Sequence, residues 1–174
     1  MVFSSLEFLF LFLPLFLLIY YVLPLRGKNV FLFFGSLVFY GFGISWNIYY
    51  LGLIIASVFF NFLAAEAIES CKRKRRIKNG EETAGKTGFG EKVILILGLC
   101  YNFGLLLFFK YAGFFVENIV LPIGISFYTF QITSYLIDVY KRKIRAEQDM
   151  MRLGAYLTMF PQLIAGPIVT YSEV

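Results

Sequence analysis

Four polar side chains recur along one apolar stretch of the chain: Tyr128, Gln131, Tyr135 and Asp138. They are separated by three, four and three positions, a spacing that places residues on one face of an α-helix. Two phenols, an amide and a carboxylate on one face can hold a polar ligand or orient a reacting group. The same groups can instead join neighbouring helices by hydrogen bonds, with no ligand involved.

The depth of this polar stripe favours an inward orientation. Gln131 lies ten residues before Lys141, which is about 15 Å along a helix. A polar group that deep in a bilayer is costly against lipid, so the stripe is predicted to face other helices or a water-filled passage. For Asp138, an ion pair with Arg142 or Lys141 at the membrane boundary is an alternative use.

A second unusual region interrupts the last apolar segment, at residues 153–169. Pro161 removes a backbone donor, and the Gly166-Pro167 pair disfavours helix a second time. Free carbonyls at membrane depth are tolerated only inside protein or beside water. We therefore predict a re-entrant or broken helical element packed on the fifth helix, with Pro161, Gln162, Gly166 and Pro167 lining a passage. A simple kinked helix is the alternative.

The chain contains no histidine. An imidazole general base is therefore excluded from these residues, and no serine–acid triad or zinc spacing is recognisable. We assign no catalytic residue, no metal ligand and no bound cofactor. Cys71 and Cys100 are predicted to lie at different membrane depths, which argues against a disulfide between them.

The composition indicates which elements position these residues. The chain is 59% hydrophobic and 16% charged, whereas soluble domains are about half apolar and about a quarter charged. Apolar runs suited to crossing about 30 Å of hydrocarbon occupy residues 6–23, 30–44, 48–68 and 93–109, and a more polar run occupies 119–140. The sequence therefore predicts an all-α, multi-span transmembrane helix bundle.

The basic residues indicate an orientation. Twelve of the 16 Lys and Arg lie in two windows, 72–92 and 141–145. Placing the basic loop at 69–92 in the cytoplasm puts the window 141–145 on the same side and leaves only Lys110 outside, as the positive-inside rule requires. The N-terminus is then outside. The run at 72–76 can bind anionic lipid or an acidic carrier protein, or act only as a stop-transfer anchor; nucleic acid is not a favoured partner.

Three strings resemble one family of membrane enzymes. LPIGISFYTFQ at 121–131, continuing through Ser134-Tyr135 and Asp138-Val139-Tyr140, resembles a signature of the membrane-bound O-acyltransferases, as does FPQLIAGPI at 160–168. The opening MVFSSLEFLF is similar to the start of the bacterial alginate O-acetyltransferase branch. The resemblance extends over the whole chain.

The resemblance implies a multi-pass protein of the bacterial inner membrane that moves an acyl group, typically acetyl, from a cytoplasmic thioester to hydroxyls of an exported polysaccharide such as alginate. Expected partners are the bilayer, acetyl-CoA or an acidic acyl-carrier protein as donor, and the machinery of glycan acetylation. A histidine is the family's expected base, so we interpret residues 1–174 as the N-terminal part of one acyltransferase domain, inactive alone. Transfer of D-alanine to teichoic acid, or a non-catalytic scaffold, are the alternatives.

Overall fold

The computed structural model describes residues 8–43, 47–79, 88–112, 124–159 and 171, and the regular elements in these ranges are all helical. The prediction of an all-α fold is confirmed. A π-helical segment (Phe8–Phe12) leads into the first of six α-helices. These are α1 (Leu13–Val22), α2 (Leu25–Gly43), α3 (Ile48–Asn79), α4 (Phe89–Ala112), α5 (Ile125–Tyr140) and α6 (Met150–Thr158).

Two helices are long and apolar enough to cross a membrane: α3 over Ile48–Ile77 and α4 over Phe89–Tyr111. Only 33% and 17% of their most apolar windows are buried inside the protein. The core helix of a soluble protein is mostly covered by its neighbours, so these helices turn large apolar side chains outward, including Phe59 and Phe108. That distribution is the one expected where lipid is the solvent.

Helix α3 differs from its prediction. The apolar run ends near Ile68, and we expected a loop from residue 69, but the helix continues to Asn79. Lys and Arg are good helix formers, and two of them are fixed to neighbours: Lys72 lies 3.3 Å from Glu69, and Arg75 lies 3.1 Å from Glu91. Hydropathy locates the end of the apolar surface, whereas the backbone helix extends beyond it.

Close packing brings α6 against α2. A Cβ built on Gly154 of α6 would lie 2.6 Å from the ring of Phe33 on α2, so any larger residue would require that ring to shift. Helix α5 packs on both α3 and α4, and Gly124, with φ of 77°, precedes it. The left-handed conformation at Gly124 is one that residues with a Cβ disfavour. These contacts place α5 in the interior of the bundle.

The two basic windows meet at one end of the bundle. Lys72 of α3 donates to the carbonyl of Val139, at the end of α5, and Arg75 contacts Glu91 at the start of α4. We call this the basic end. Lys110, in the last turn of α4, lies at the opposite end because α4 runs away from Glu91.

The predicted broken element lies outside the described residues. Helix α6 ends at Thr158, and the residues we expected to line a passage there, Pro161, Gln162, Gly166 and Pro167, fall in 160–170. The first residues of the predicted fifth span, 119–123, also lie outside. The re-entrant or broken element therefore stays a prediction.

Candidate functional site

The polar stripe of α5 faces the interior of the bundle, as predicted. The exposed fractions of Tyr128, Gln131, Tyr135 and Asp138 are 3%, 4%, 0% and 7%. The neighbouring Phe130, by contrast, is 44% exposed. The helix therefore separates a polar inner face from an apolar outer one.

Gln131 joins α5 to the end of α6. Its Nε2 donates to the main-chain carbonyl of Tyr156 at 3.0 Å. That carbonyl belongs to the last turn of α6, where carbonyls have no partner within the helix. Gln131 thus supplies a donor to a carbonyl at the point where α6 ends. This contact is a hydrogen bond between helices, the alternative that the sequence analysis set beside a polar passage.

Tyr135 fixes the connection between α5 and α6. Its hydroxyl accepts a hydrogen bond from the main-chain N–H of Glu147 at 2.9 Å. The Glu147 carboxylate in turn accepts from the hydroxyl of Tyr171 at 2.5 Å. Burial raises the pKa of the Tyr171 hydroxyl above its ordinary value, and the bond to Glu147 raises it further, so this phenol remains a donor.

Asp138 forms an ion pair, but with a different residue from those we expected. Its carboxylate lies 3.4 Å from Nζ of Lys143. The sequence spacing favoured Arg142 or Lys141, on the assumption that the helix continues. The backbone instead reverses at Arg142, where φ is 65°, and this brings the fifth residue after Asp138 back to it.

Three buried hydroxyls from three helices converge near the start of α5. Tyr128 lies in one buried cluster with Tyr40 of α2, and its hydroxyl lies close to that of Ser57 on α3. Each of the three residues is 3% exposed, and within the described part of the chain none of the three hydroxyls has a partner at full hydrogen-bond geometry. We call Tyr40, Ser57 and Tyr128 the hydroxyl cluster. Buried hydroxyls ordinarily have partners, and an ordered water or a bound polar group supplies them where protein does not.

A pair of amides continues this polar interior. Asn61 and Asn102 are 0% and 2% exposed and donate to each other at 2.9 and 2.7 Å. Asn61 also donates to the carbonyl of Ser57 at 2.8 Å. Intramembrane polar groups of this kind face the bundle interior and mark functional regions or helix contacts.

Our sequence analysis missed Tyr40, Ser57, Asn61 and Asn102. Each stands alone within an apolar run, so composition did not distinguish them. The available signal was spacing, since Ser57 and Asn61 are four positions apart and therefore share one helix face. Within the described ranges, no three His, Cys, Asp or Glu side chains meet as metal ligands would. Around the hydroxyl cluster and the Asn61–Asn102 pair, the polar groups of the interior are hydroxyls and amides, which can bind polar groups by hydrogen bonds.

These features define the class of the protein: a helical membrane protein with a polar interior beneath an apolar outer surface. Comparison with known proteins then finds relatives that are named for O-acetylation. The chain is 37% identical over its whole length to a protein of Azotobacter vinelandii named probable alginate O-acetylase, and 36% identical to one of the same name from Pseudomonas aeruginosa. It is 33% identical to a peptidoglycan O-acetyltransferase of Helicobacter pylori. The resemblance to bacterial alginate O-acetyltransferases that the sequence indicated is confirmed.

The chain spans about a third of the length of these relatives. It covers 35%, 34% and 38% of them respectively. No family model matches the chain, and no solved structure matches it.

Proposed function

We propose that this chain is part of a membrane enzyme that O-acetylates an exported polysaccharide. The observation that carries the proposal is similarity across the entire chain to proteins named for O-acetylation of two different glycans, alginate and peptidoglycan. The two names share the transferred group and the polysaccharide class of acceptor. They differ in the particular glycan. We propose alginate as the first acceptor, because more of the matching proteins are named for alginate than for peptidoglycan.

The role we propose for the described residues is to line a polar passage. The hydroxyl cluster supports it, because its buried hydroxyls have no hydrogen-bond partner among the described residues and lie where lipid is excluded. The buried polar face of α5 supports it as well. A passing hydroxyl or carbonyl can exchange hydrogen bonds with Tyr128 and Ser57 as water does. We propose the same lining role for Pro161, Gln162, Gly166 and Pro167. No imidazole of this chain can serve as general base, since the sequence has none.

The proposed donor is a cytoplasmic acyl thioester, either acetyl-CoA or an acylated carrier protein. Two basic windows at one end of the bundle support a cytoplasmic location for that end under the positive-inside rule. We accordingly propose a multi-pass protein of the bacterial inner membrane with its N-terminus outside, acting with the machinery that acetylates exported glycans. D-alanyl transfer to teichoic acid and a non-catalytic scaffold stay predictions that neither the described contacts nor the relatives' names favour.

Deletion of the gene in the organism that encodes it tests the proposal. The exported polysaccharide should lose its alkali-labile acetyl esters, measured as acetate released by mild base, and a plasmid copy should restore them. Equal acetate release from the deletion strain and its parent would contradict the proposed function.

The proposed passage has a separate test in the same strain. Tyr128→Phe removes one hydroxyl from the cluster and leaves the ring, so the helix packing is retained. Acetate release should fall severalfold while the amount of protein in the membrane is unchanged. Tyr49→Phe is the matched control, because Tyr49 is 82% exposed and should keep full acetylation. Equal acetylation in the two variants would show that the hydroxyl cluster does not line the passage.

A further inference from the structure

An open cleft of about 900 Å³ lies at the basic end of the bundle, between the extension of α3 and the connection from α5 to α6. Three carboxylates line it, those of Glu66, Glu69 and Glu147. Seven cations line it as well: Lys72, Arg73, Arg75 and Arg76 from α3, and Arg142, Lys143 and Arg145 from the connection. The excess of cations makes the cleft attractive to anions.

Acidic side chains neutralise only part of this excess. Outside the lining, Glu91 pairs with Arg75 and Asp138 pairs with Lys143. Glu69 is paired with Lys72, and Lys72 also donates to the main-chain carbonyl of Val139 inside the bundle. The Glu147 carboxylate accepts from the hydroxyl of Tyr171 and from the main-chain N–H groups of Gln148 and Asp149, so its oxygens are occupied by local donors.

Two guanidinium groups that line the cleft, those of Arg73 and Arg145, are accessible to a ligand. Arg73 and Arg145 are exposed, and no carboxylate among the described residues lies within ion-pair distance of either. They come from different elements and face one cleft. Guanidinium groups bind phosphate through paired hydrogen bonds, which ammonium groups cannot match.

The connection from α5 to α6 carries three of these seven cations, and hydrogen bonds within the protein hold it in place before any ligand binds. The N–H groups of Arg142 and Lys143 donate to the carbonyls of Val139 and Asp138 at 3.1 and 3.0 Å, a Schellman motif. Tyr135 holds Glu147 further along. A stop-transfer anchor accounts for the basic run on α3, but it requires no second basic segment folded over that run.

Arg142 occupies a position that disfavours it. Arg142 has a positive φ, 65°, and among the described residues no other residue apart from glycine does. Schellman motifs ordinarily carry glycine at this site. The left-handed conformation is strained for a residue with a Cβ, and strain of this kind concentrates at functional sites. The arginine at this position places one more guanidinium on the cleft.

From these observations we propose that the cleft binds a phosphate ester. The shared chemistry is a phosphate held by arginines from α3 and from the α5–α6 connection. Two sources can supply it: the headgroup of an anionic lipid, or a soluble organic phosphate. The cleft opens where the apolar surface of α3 ends, within reach of both. The proposal concerns binding and does not rest on acetyl transfer.

The test measures binding by the full chain in lipid nanodiscs. In neutral phosphatidylcholine discs, coenzyme A serves as the soluble phosphate probe, followed by isothermal titration calorimetry. In discs containing phosphatidylglycerol, native mass spectrometry counts retained anionic lipid. The cleft variant is Arg73→Gln with Arg145→Gln. The control is Lys28→Gln with Lys110→Gln, which removes the same charge from residues outside the cleft.

The proposal expects the cleft variant, and not the control, to weaken coenzyme A binding or lipid retention by about tenfold or more, since a hydrogen bond to a charged group is worth about 1.5–3 kcal/mol. Loss of coenzyme A binding identifies a soluble source, and loss of retained phosphatidylglycerol identifies a lipid. Equal binding of both probes by the two variants, with unchanged helical circular dichroism, overturns it. The proposal is also overturned if potassium chloride and inorganic pyrophosphate, at equal ionic strength, displace the bound probe equally well. Binding would then depend on charge screening alone and not on recognition of phosphate.

Discussion

The side-chain amides of Asn61 and Asn102 form two hydrogen bonds with each other across the interface of α3 and α4, at 2.9 and 2.7 Å. Both residues are buried in the helices with the strongest membrane-spanning character. Two donors and two acceptors satisfied in one reciprocal contact fix the relative register of these helices, because sliding either helix by one residue breaks both bonds. The pair lies one turn from Ser57, so it also fixes one wall of the hydroxyl cluster.

Removing one of these amides should destabilise the protein more than removing both. Asn61→Leu leaves the amide of Asn102 buried without its partner, which costs about 1–3 kcal/mol. The double variant with Asn102→Leu replaces the contact by apolar packing and should recover at least half of that loss. Unfolding by sodium dodecyl sulfate, followed by circular dichroism, measures both. Additive losses would show that the two amides act independently.

Loss of the Gln131 amide should impair activity without removing the protein from the membrane. Gln131→Ala leaves the Tyr156 carbonyl without its donor and frees the end of α6, which leads into residues 160–170. In the full-length protein we expect acetate release from the polysaccharide to fall severalfold at an unchanged membrane level. Phe130→Ala is the control, because Phe130 is 44% exposed and lies on the other face. Unchanged acetylation in Gln131→Ala would leave the residue only a role in joining helices.

The inward face of α5 was predictable from the sequence because a membrane imposes one strict requirement on spacing. Polar residues three and four apart must avoid lipid together, and Gln131 and Tyr135 do so. The partner of Asp138 was not predictable, since it depends on the left-handed turn at Arg142. Glycine signals such a turn in a sequence, and arginine does not.

The meeting of side chains from different helices in the hydroxyl cluster was also not predictable from the sequence. Tyr40, Ser57 and Tyr128 belong to separate apolar runs, and only the packing of α2, α3 and α5 brings them together. The end of α3 was missed for a different reason: its last turns are stabilised by the contact of Arg75 with Glu91, a residue of the next helix.

The close approach of α6 to α2 depends on a single missing methyl group. Gly154→Ala should destabilise the protein, because the new Cβ would lie 2.6 Å from the Phe33 ring and overpacking typically costs about 1–3 kcal/mol. Gly52→Ala is the matched control, because among the described residues no atom outside its own stretch of helix lies within 4 Å of its Cβ position. This change should stabilise α3 by up to about 1 kcal/mol. Thermal unfolding in detergent measures both. A neutral Gly154→Ala would mean that Phe33 moves aside freely.

The strain at Arg142 can be separated from the loss of its side chain by comparing two variants at that position. Arg142→Ala and Arg142→Gly both delete the guanidinium group, so any contact it makes is lost equally. They differ in the cost of the left-handed conformation, which falls on alanine and not on glycine. The glycine variant should therefore be more stable than the alanine variant by about 1 kcal/mol, measured by denaturant unfolding in detergent. Within a continuous helix the order would be reversed by a similar amount. A more stable alanine variant would show that the chain does not reverse at this residue, and Lys143 would then no longer be brought back to Asp138.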